Sequence, residues 1–247
     1  MDNILLEITD QIEAHLRFQQ KNGARYILPQ ADVEQLIITK RSERKKEISK
    51  DKPLVFFQKA KDPAKELRSF ACDVKSCKRC EHLAATRSHV VFGEGNPHAD
   101  LMLIGEAPGA EEDKLGRPFV GKAGQLLTKI IAAAGFSRSD VYIANIIKCR
   151  PPENRNPNTD EIDQCIGYLH RQIDIVSPKV ICTLGSVATQ SLLNITEPIS
   201  RVRGTQLEFR GCVLIPTFHP SYLLRSPQMK REAWQDILLV KKVISKL

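Results

Sequence analysis

Nothing in this 247-residue chain approaches the run of about 18 apolar residues that a membrane-spanning helix needs, which excludes an integral membrane protein of the helical kind. The opening "MDNILLEITD" carries acidic residues where a secretory leader carries basic ones. The expectation is a soluble protein of the cytoplasm. No internal repeat or low-complexity tract is visible, so solenoid and tail-like architectures fall away. With 42% hydrophobic residues, the chain has ample material for a packed core.

What is present is unevenly spread. Cys77 and Cys80 form C-x2-C, 68 residues follow, and Cys149 and Cys165 then form C-x15-C. Four thiols on a chain without a leader read as ligands of a soft metal centre, either tetrahedral zinc or an iron–sulfur cluster. Buried structural thiols are the alternative, because free cysteine is among the most buried residue types. That alternative suits Cys182 in "KVICTLG" and Cys212 in "GCVLIP", whose neighbours are apolar. It suits Cys77 and Cys80 poorly, since "DVKSCKRCEHL" has no apolar periodicity. Cys72 is a spare.

The net charge of +8 favours a polyanionic partner, because each neutralised phosphate releases counterions. Part of that excess is local: residues 40–52 carry seven Lys or Arg against three Asp or Glu, a net +4, and read first as a solvated linker. Ahead of it, Ile4, Ile8, Ile12 and Leu16 recur at helical spacing, giving an amphipathic helix. Residues 1–60 are therefore expected to be an extension and residues 61–247 the main domain.

From residue 89 onward, short apolar runs alternate with helical patterns, as a three-layer α/β/α sandwich around a mostly parallel sheet requires. Strands are expected at His89–Phe92, Asp100–Ile104, Val141–Ile146, Lys179–Leu184, Leu207–Phe209 and Cys212–Thr217. Helices are expected at Gly121–Ala134, Thr159–Val176, Val187–Leu193 and Gln228–Lys246, with Thr159 as an N-cap and Gly135 as a C-cap. Ligands of such folds bind beyond the carboxyl ends of the strands, where three unusual segments fall.

The first is "GEAPGAEEDKLGRPFVGKAGQLL", residues 105–127. Its glycines, Gly105 and Gly109 among them, let backbone amides approach a ligand closely. Phe119, in a proline-restricted stretch too short for a core element, is a candidate stacking platform. Carboxylates at Glu106, Glu111, Glu112 and Asp113 sit where a basic protein would meet phosphate, which is costly unless they act. In the second segment, "NIIKCRPPENRNP", Asn145 ends an apolar strand, and its amide offers the donor and acceptor that match a base edge. Lys148, Arg150 and Arg155 then make a proline-stiffened basic loop suited to a sugar–phosphate backbone. The third, "TFHPSYLLR", sets His219 directly after a strand, with Leu224 and Arg225 in an apolar stretch able to wedge into a duplex.

Together with the cysteine frame, these segments resemble the family 4 uracil-DNA glycosylases, the iron–sulfur members of their superfamily. The resemblance runs over about residues 67–247 and leaves the N-terminal extension uncovered. It implies a [4Fe–4S] cluster on Cys77, Cys80, Cys149 and Cys165, and a central four-stranded parallel sheet. It also implies that Phe119 stacks on uracil, Asn145 reads its polar edge, His219 contacts O2, and backbone around Gly105, Ala107 and Gly109 lines the site. Where the best-known branch of the superfamily has a water-activating Asp, this chain has Ala107. Glu106 and Glu112 are therefore the candidates to position water or hold the loop. No inserted Arg-rich loop lies between Cys149 and Cys165, and no lysine stands out as a Schiff-base nucleophile. A monofunctional turnover enzyme is expected, a monomer acting on uracil in single- and double-stranded DNA, with residues 1–60 free to dock a replication or repair protein. The alternatives are a glycosylase for hypoxanthine or xanthine and a non-catalytic iron–sulfur nucleic-acid-binding module.

Overall fold

The structure, a computed structural model, describes residues 61–247. The expected helix at residues 4–16, the basic run and the boundary at residue 60 lie outside the described residues. Six strands form one sheet in the order β1-β3-β2-β4-β6-β5. The inner four, β3 (Tyr142–Asn145), β2 (Leu101–Gly105), β4 (Val180–Leu184) and β6 (Cys212–Thr217), are parallel. Short antiparallel strands, β1 (Glu94–Gly95) and β5 (Leu207–Phe209), close the two edges.

The parallel strands are apolar on both faces, as sheets covered on both sides must be. Along β2, Met102 and Ile104 join one core cluster while Leu101 and Leu103 join another. The first cluster also takes Leu67 and Val74 from α1 (Pro63–Lys75), Leu83 from α2 (Glu81–Thr86), Leu169 and Ile173 from α5 (Thr159–Val176), and Leu192 from α6 (Ser186–Leu193). The second takes Leu127 and Ile131 from α4 (Lys122–Ala133) and Ile237 and Val240 from α9 (Lys230–Ile244). Three short helices complete the order: α3 (Ala110–Leu115), α7 (Ile199–Val202) and α8 (Pro220–Arg225). This is the expected three-layer sandwich with a four-stranded parallel centre. Among the described residues no helix is long and apolar enough to cross a membrane.

Several local expectations need correction. His89–Phe92 forms no strand, although Val91 and Phe92 are buried. Val91 donates its N–H to the Lys148 carbonyl at 2.8 Å, and then Gly93 turns the chain with φ of 139°, so pairing begins only at Glu94. The cap of α5 is Asn158 rather than Thr159, and it forms a capping box with Glu161. At the end of α4 the C-cap is Ala134, and Gly135 follows it with φ of 90°. "PSYLLR" is the helix α8 and not a loop, with Leu223 buried and Leu224 44% exposed.

Asn158 also donates its own N–H to Glu161 Oε2 at 2.7 Å. Asn158→Ala should therefore lower stability by about 1 kcal/mol in denaturant unfolding, the usual value of such a cap; an unchanged midpoint would show that the box contributes nothing.

Candidate functional site

The carboxyl ends of the four parallel strands converge on one cavity of about 530 Å3. Glu106 follows β2, Asn145 ends β3, Gly185 follows β4 and His219 follows β6, and all four line it. β2 lies between β3 and β4, so the chain's winding reverses beside it, and a crevice opens where doubly wound sheets bind ligands. Hydrogen bonds beyond the formal strands pin β2 to β3: Ile146 N–H donates to Gly105 O at 2.9 Å, and Ile147 N–H to Glu106 O at 3.1 Å.

Phe119 forms one wall, buried, with φ of 51°. A bulky side chain at such an angle carries strain of roughly 1–3 kcal/mol, which the surroundings must override. Glu112 Oε1 accepts the N–H groups of Val120 and Gly121, each at 2.9 Å, fixing the backbone after the phenyl ring. The helix α4 approaches so closely that a Cβ on Gly124 would lie 1.9 Å from Phe119 O.

Opposite the ring, Asn145 is 1% exposed, and its Oδ1 has no hydrogen-bond partner. A buried acceptor without a donor is costly and uncommon. Gly105 lies beneath both, where a Cβ would meet Phe119 Cζ at 2.4 Å and Asn145 Oδ1 at 2.5 Å.

His219 stands 5.8 Å from Phe119 between ring centroids, the planes inclined by 38°. Its Nδ1 accepts the Ser221 N–H at 3.1 Å and lies 2.7 Å from Ser221 Oγ. Burial, and after it the positive Arg225, hold the imidazole down at about 4, so the ring is neutral near pH 7. With Nδ1 accepting, the proton of the neutral ring resides on Nε2. Burial pushes the Glu106 carboxyl up.

The expected residues divide cleanly. Glu106, Ala107, Gly109, Glu112, Phe119, Asn145, Arg155, His219 and Arg225 all line the cavity. Gly105 is not among the lining residues; it is buried beneath the Phe119 ring and the Asn145 amide. Leu224 is exposed beside it on α8, and Arg150 is half-buried, donating from Nε to Asn154 Oδ1 at 2.8 Å. Lys148 is a correction: it is 1% exposed and does not face outward with the basic loop. Its Nζ donates to Asn145 O at 2.8 Å and to Gln172 Oε1 at 2.5 Å, so it braces the strand end from inside. Asn154, Asn156, Ser186 and Ser221 also line the cavity and were not anticipated. The neighbouring "PENRNP" and "HPS" motifs were the only signal for three of them, and Ser186 had none.

The four cysteines meet around a second, small cavity of about 20 Å3, walled by Leu83, Ile147 and Tyr168. Arg87 Nη1 donates to Cys149 Sγ at 3.1 Å, and the Lys148 N–H to Cys165 Sγ at 3.3 Å. Among the described residues no group of three or more His, Cys, Asp or Glu side chains is drawn together closely enough to hold a metal ion. Four thiols around one cavity, two of them accepting N–H groups, form a donor set that suits a soft metal centre. Cys72 is exposed and apart; Cys182 and Cys212 are buried in β4 and β6.

One carboxylate stands between the two cavities. Glu161 accepts from Arg155 Nη1 at 2.9 Å and Nη2 at 2.6 Å, and lies 2.5 Å from His82 Nε2. The Arg155 guanidinium leads the contacts that hold its carboxyl down at about 2. Arg155 lines the large cavity and Glu161 the small one.

A pocket that is flat-walled on one side, offers an amide edge on another and holds a neutral imidazole on a third defines a protein that grips a planar heterocycle. Residues 92–238 match the model of the uracil DNA glycosylase superfamily, and the chain belongs to that superfamily. Within it the chain groups with the type-4 branch. It is similar to the type-4 uracil-DNA glycosylase of Thermotoga maritima, 46% identical over 177 residues that span 70% of this chain and 92% of the relative. The type-4 enzyme of Sulfurisphaera tokodaii is 42% identical over 180 residues (69% and 81%), and that of Archaeoglobus fulgidus 41% over 172 (66% and 86%).

Nitrogen-15 NMR of the imidazole should find His219 with Nδ1 unprotonated and Nε2 protonated from pH 8 down to pH 5, titrating only near about 4. Titration near the usual 6.5 would mean that the ring is not desolvated as described.

Proposed function

We propose that this chain is a monofunctional glycosylase that turns uracil out of DNA and hydrolyses its N-glycosidic bond, leaving an abasic site for base excision repair. The observation that carries this reading is the unpartnered Oδ1 of Asn145, buried against the Phe119 ring. Uracil N3–H is the donor that this acceptor lacks, and the amide nitrogen is then free to donate to O4. Cytosine offers no proton at N3 and an amino group at C4, so the same amide meets it with mismatched polarity. The extruded base stacks on Phe119, and single-stranded or mismatched DNA reduces the cost of extrusion.

As the bond to the sugar lengthens, negative charge gathers on the departing uracil. His219 donates from Nε2 to O2, and its neutrality matters because the donor keeps its proton throughout. Backbone amides around Ala107 and Gly109 add to this stabilisation. The two carboxylates part in role. Glu112 is committed to two loop amides, which leaves Glu106, raised by burial, to orient the attacking water. Among the described residues no lysine lines the cavity, which supports hydrolysis without a Schiff-base step.

Arg150, Arg155 and Arg225 contact the phosphate backbone, and Leu224, exposed on α8, fills the gap the base leaves. Cys77, Cys80, Cys149 and Cys165 hold a [4Fe–4S] cluster, which when bound supplies a rigid crosslink between α2, the β3–α5 loop and α5. Residues 61–247 are the glycosylase domain of a cytoplasmic monomer, and residues 1–60 an extension available to a replication or repair partner.

Purified protein should release uracil from a single-stranded oligonucleotide, read as alkali-labile cleavage. Asn145→Ala and His219→Ala should each slow release by on the order of 10²–10³-fold, the loss expected for one transition-state donor or base-reading group. Absence of release from iron-loaded wild type, or an undiminished Asn145→Ala, would overturn the reading. For the cluster, Cys149→Ala should lose iron and DNA affinity before it loses base selectivity. Intact affinity in an iron-free variant would refute the crosslinking role.

A further inference from the structure

Phe119 keeps its φ of 51° only if the peptide groups on both sides of it are held. Glu112 holds the N–H groups of the two peptides that follow Phe119. The carbonyl side depends on one guanidinium outside every recognised motif: Arg138 Nη2 donates to Pro118 O at 2.8 Å, and Nη1 to Phe119 O at 2.9 Å. Arg138 follows α4 in the turn before β3 and does not line the cavity. Its Nη1 also reaches Thr128 Oγ1 on α4 at 3.3 Å.

The guanidinium is oriented in turn. Arg138 Nη2 donates to Glu94 Oε1 at 2.5 Å, and Glu94 is fixed from its other oxygen by Arg117 Nε at 2.7 Å. Both partners are largely shielded, Arg138 at 22% and Glu94 at 25% side-chain exposure, so the pair is better protected from screening than a surface bridge. Glu94 lies on β1, the edge strand paired to β3, where a Cβ on Gly95 would meet Val141 O at 2.0 Å. The edge strand thus delivers a carboxylate to one spot, behind the ring that walls the pocket.

We propose that Arg138, oriented by Glu94, is a positioning residue for base extraction, setting the tilt of the Phe119 ring and acting on the reaction only through it. The inference rests on the reading of Phe119 as the platform on which the extruded base stacks. It differs from general support of the fold in one respect: the effect of Arg138 must vanish once the ring is gone.

The test is a double-mutant cycle on the full chain, using single-turnover uracil release from a single-stranded oligonucleotide by wild type, Arg138→Met, Phe119→Ala and the double variant. Arg138→Met should slow release by on the order of ten-fold or more, as small misplacements of binding groups do. Added to Phe119→Ala, it should slow release by no more than about two-fold, and Arg138→Lys should recover part of the single-variant loss. Multiplicative losses would assign Arg138 to stability alone and overturn the proposal, as would an Arg138→Met enzyme within about two-fold of wild type. If Arg138→Met fails to fold, Glu94→Gln enters the same cycle under the same criteria. Failure of the underlying reading looks different: either wild type releases no uracil, or Phe119→Ala releases it undiminished.

Discussion

The pocket depends on a missing side chain. Gly105 ends the central strand β2, and the Phe119 ring and the Asn145 amide both lie over it. Any Cβ there would stand about 2.4–2.5 Å from one or the other, closer than atoms can approach. The phenyl wall and the amide edge can both close on this point because it carries no side chain. The same economy recurs at Gly124, where α4 touches the Phe119 peptide, and at Gly185, where a Cβ would meet His219 Cβ at 2.8 Å.

Around that point the parallel sheet acts as a jig. Four strands deliver four short segments to one edge, and each brings one kind of group: carboxylate, amide, turn and imidazole. Hydrogen bonds between segments fix them to one another, including Ile146 N–H to Gly105 O at 2.9 Å and Gly185 N–H to Thr217 O at 2.8 Å, while Lys148 Nζ braces Asn145 O from beneath. The groups are positioned before any ligand arrives, which is the condition for electrostatic stabilisation of a developing charge.

Much of this was legible in the sequence, and the parts that were not have physical reasons. The parallel strands announced themselves as continuous apolar runs, and α5 was bounded as expected, because burial on both faces and an unbroken 3.6-residue stripe leave strong marks. Phe119, Asn145 and His219 stood out as residues with no business in their local settings. Lys148 was misjudged because a lysine among Arg150 and Arg155 looks like its neighbours; only the fold reveals that it points inward to Gln172. Arg138 and Glu94 left no trace, since Arg138 bonds backbone carbonyls, and Glu94 meets Arg138 and Arg117 only across 44 and 23 residues. The short helix α8 hid behind Pro220 and an apparently exposed leucine pair, of which only Leu224 is exposed.

Glu161 gives the loop between Cys149 and Cys165 an unusual thermodynamic character. The carboxylate holds Arg155 by two bonds, caps α5 and reaches His82, so a polar, proline-rich surface segment is tied at its middle as well as at its ends. The conformational entropy of such a segment is lost when the domain folds, at about 1–2 kcal/mol per residue, and not when it meets another molecule. Contact with a charged polymer can then proceed without an ordering step. Part of that rigidity is chemical rather than steric, since it rests on one ionised carboxylate in addition to the prolines of the segment.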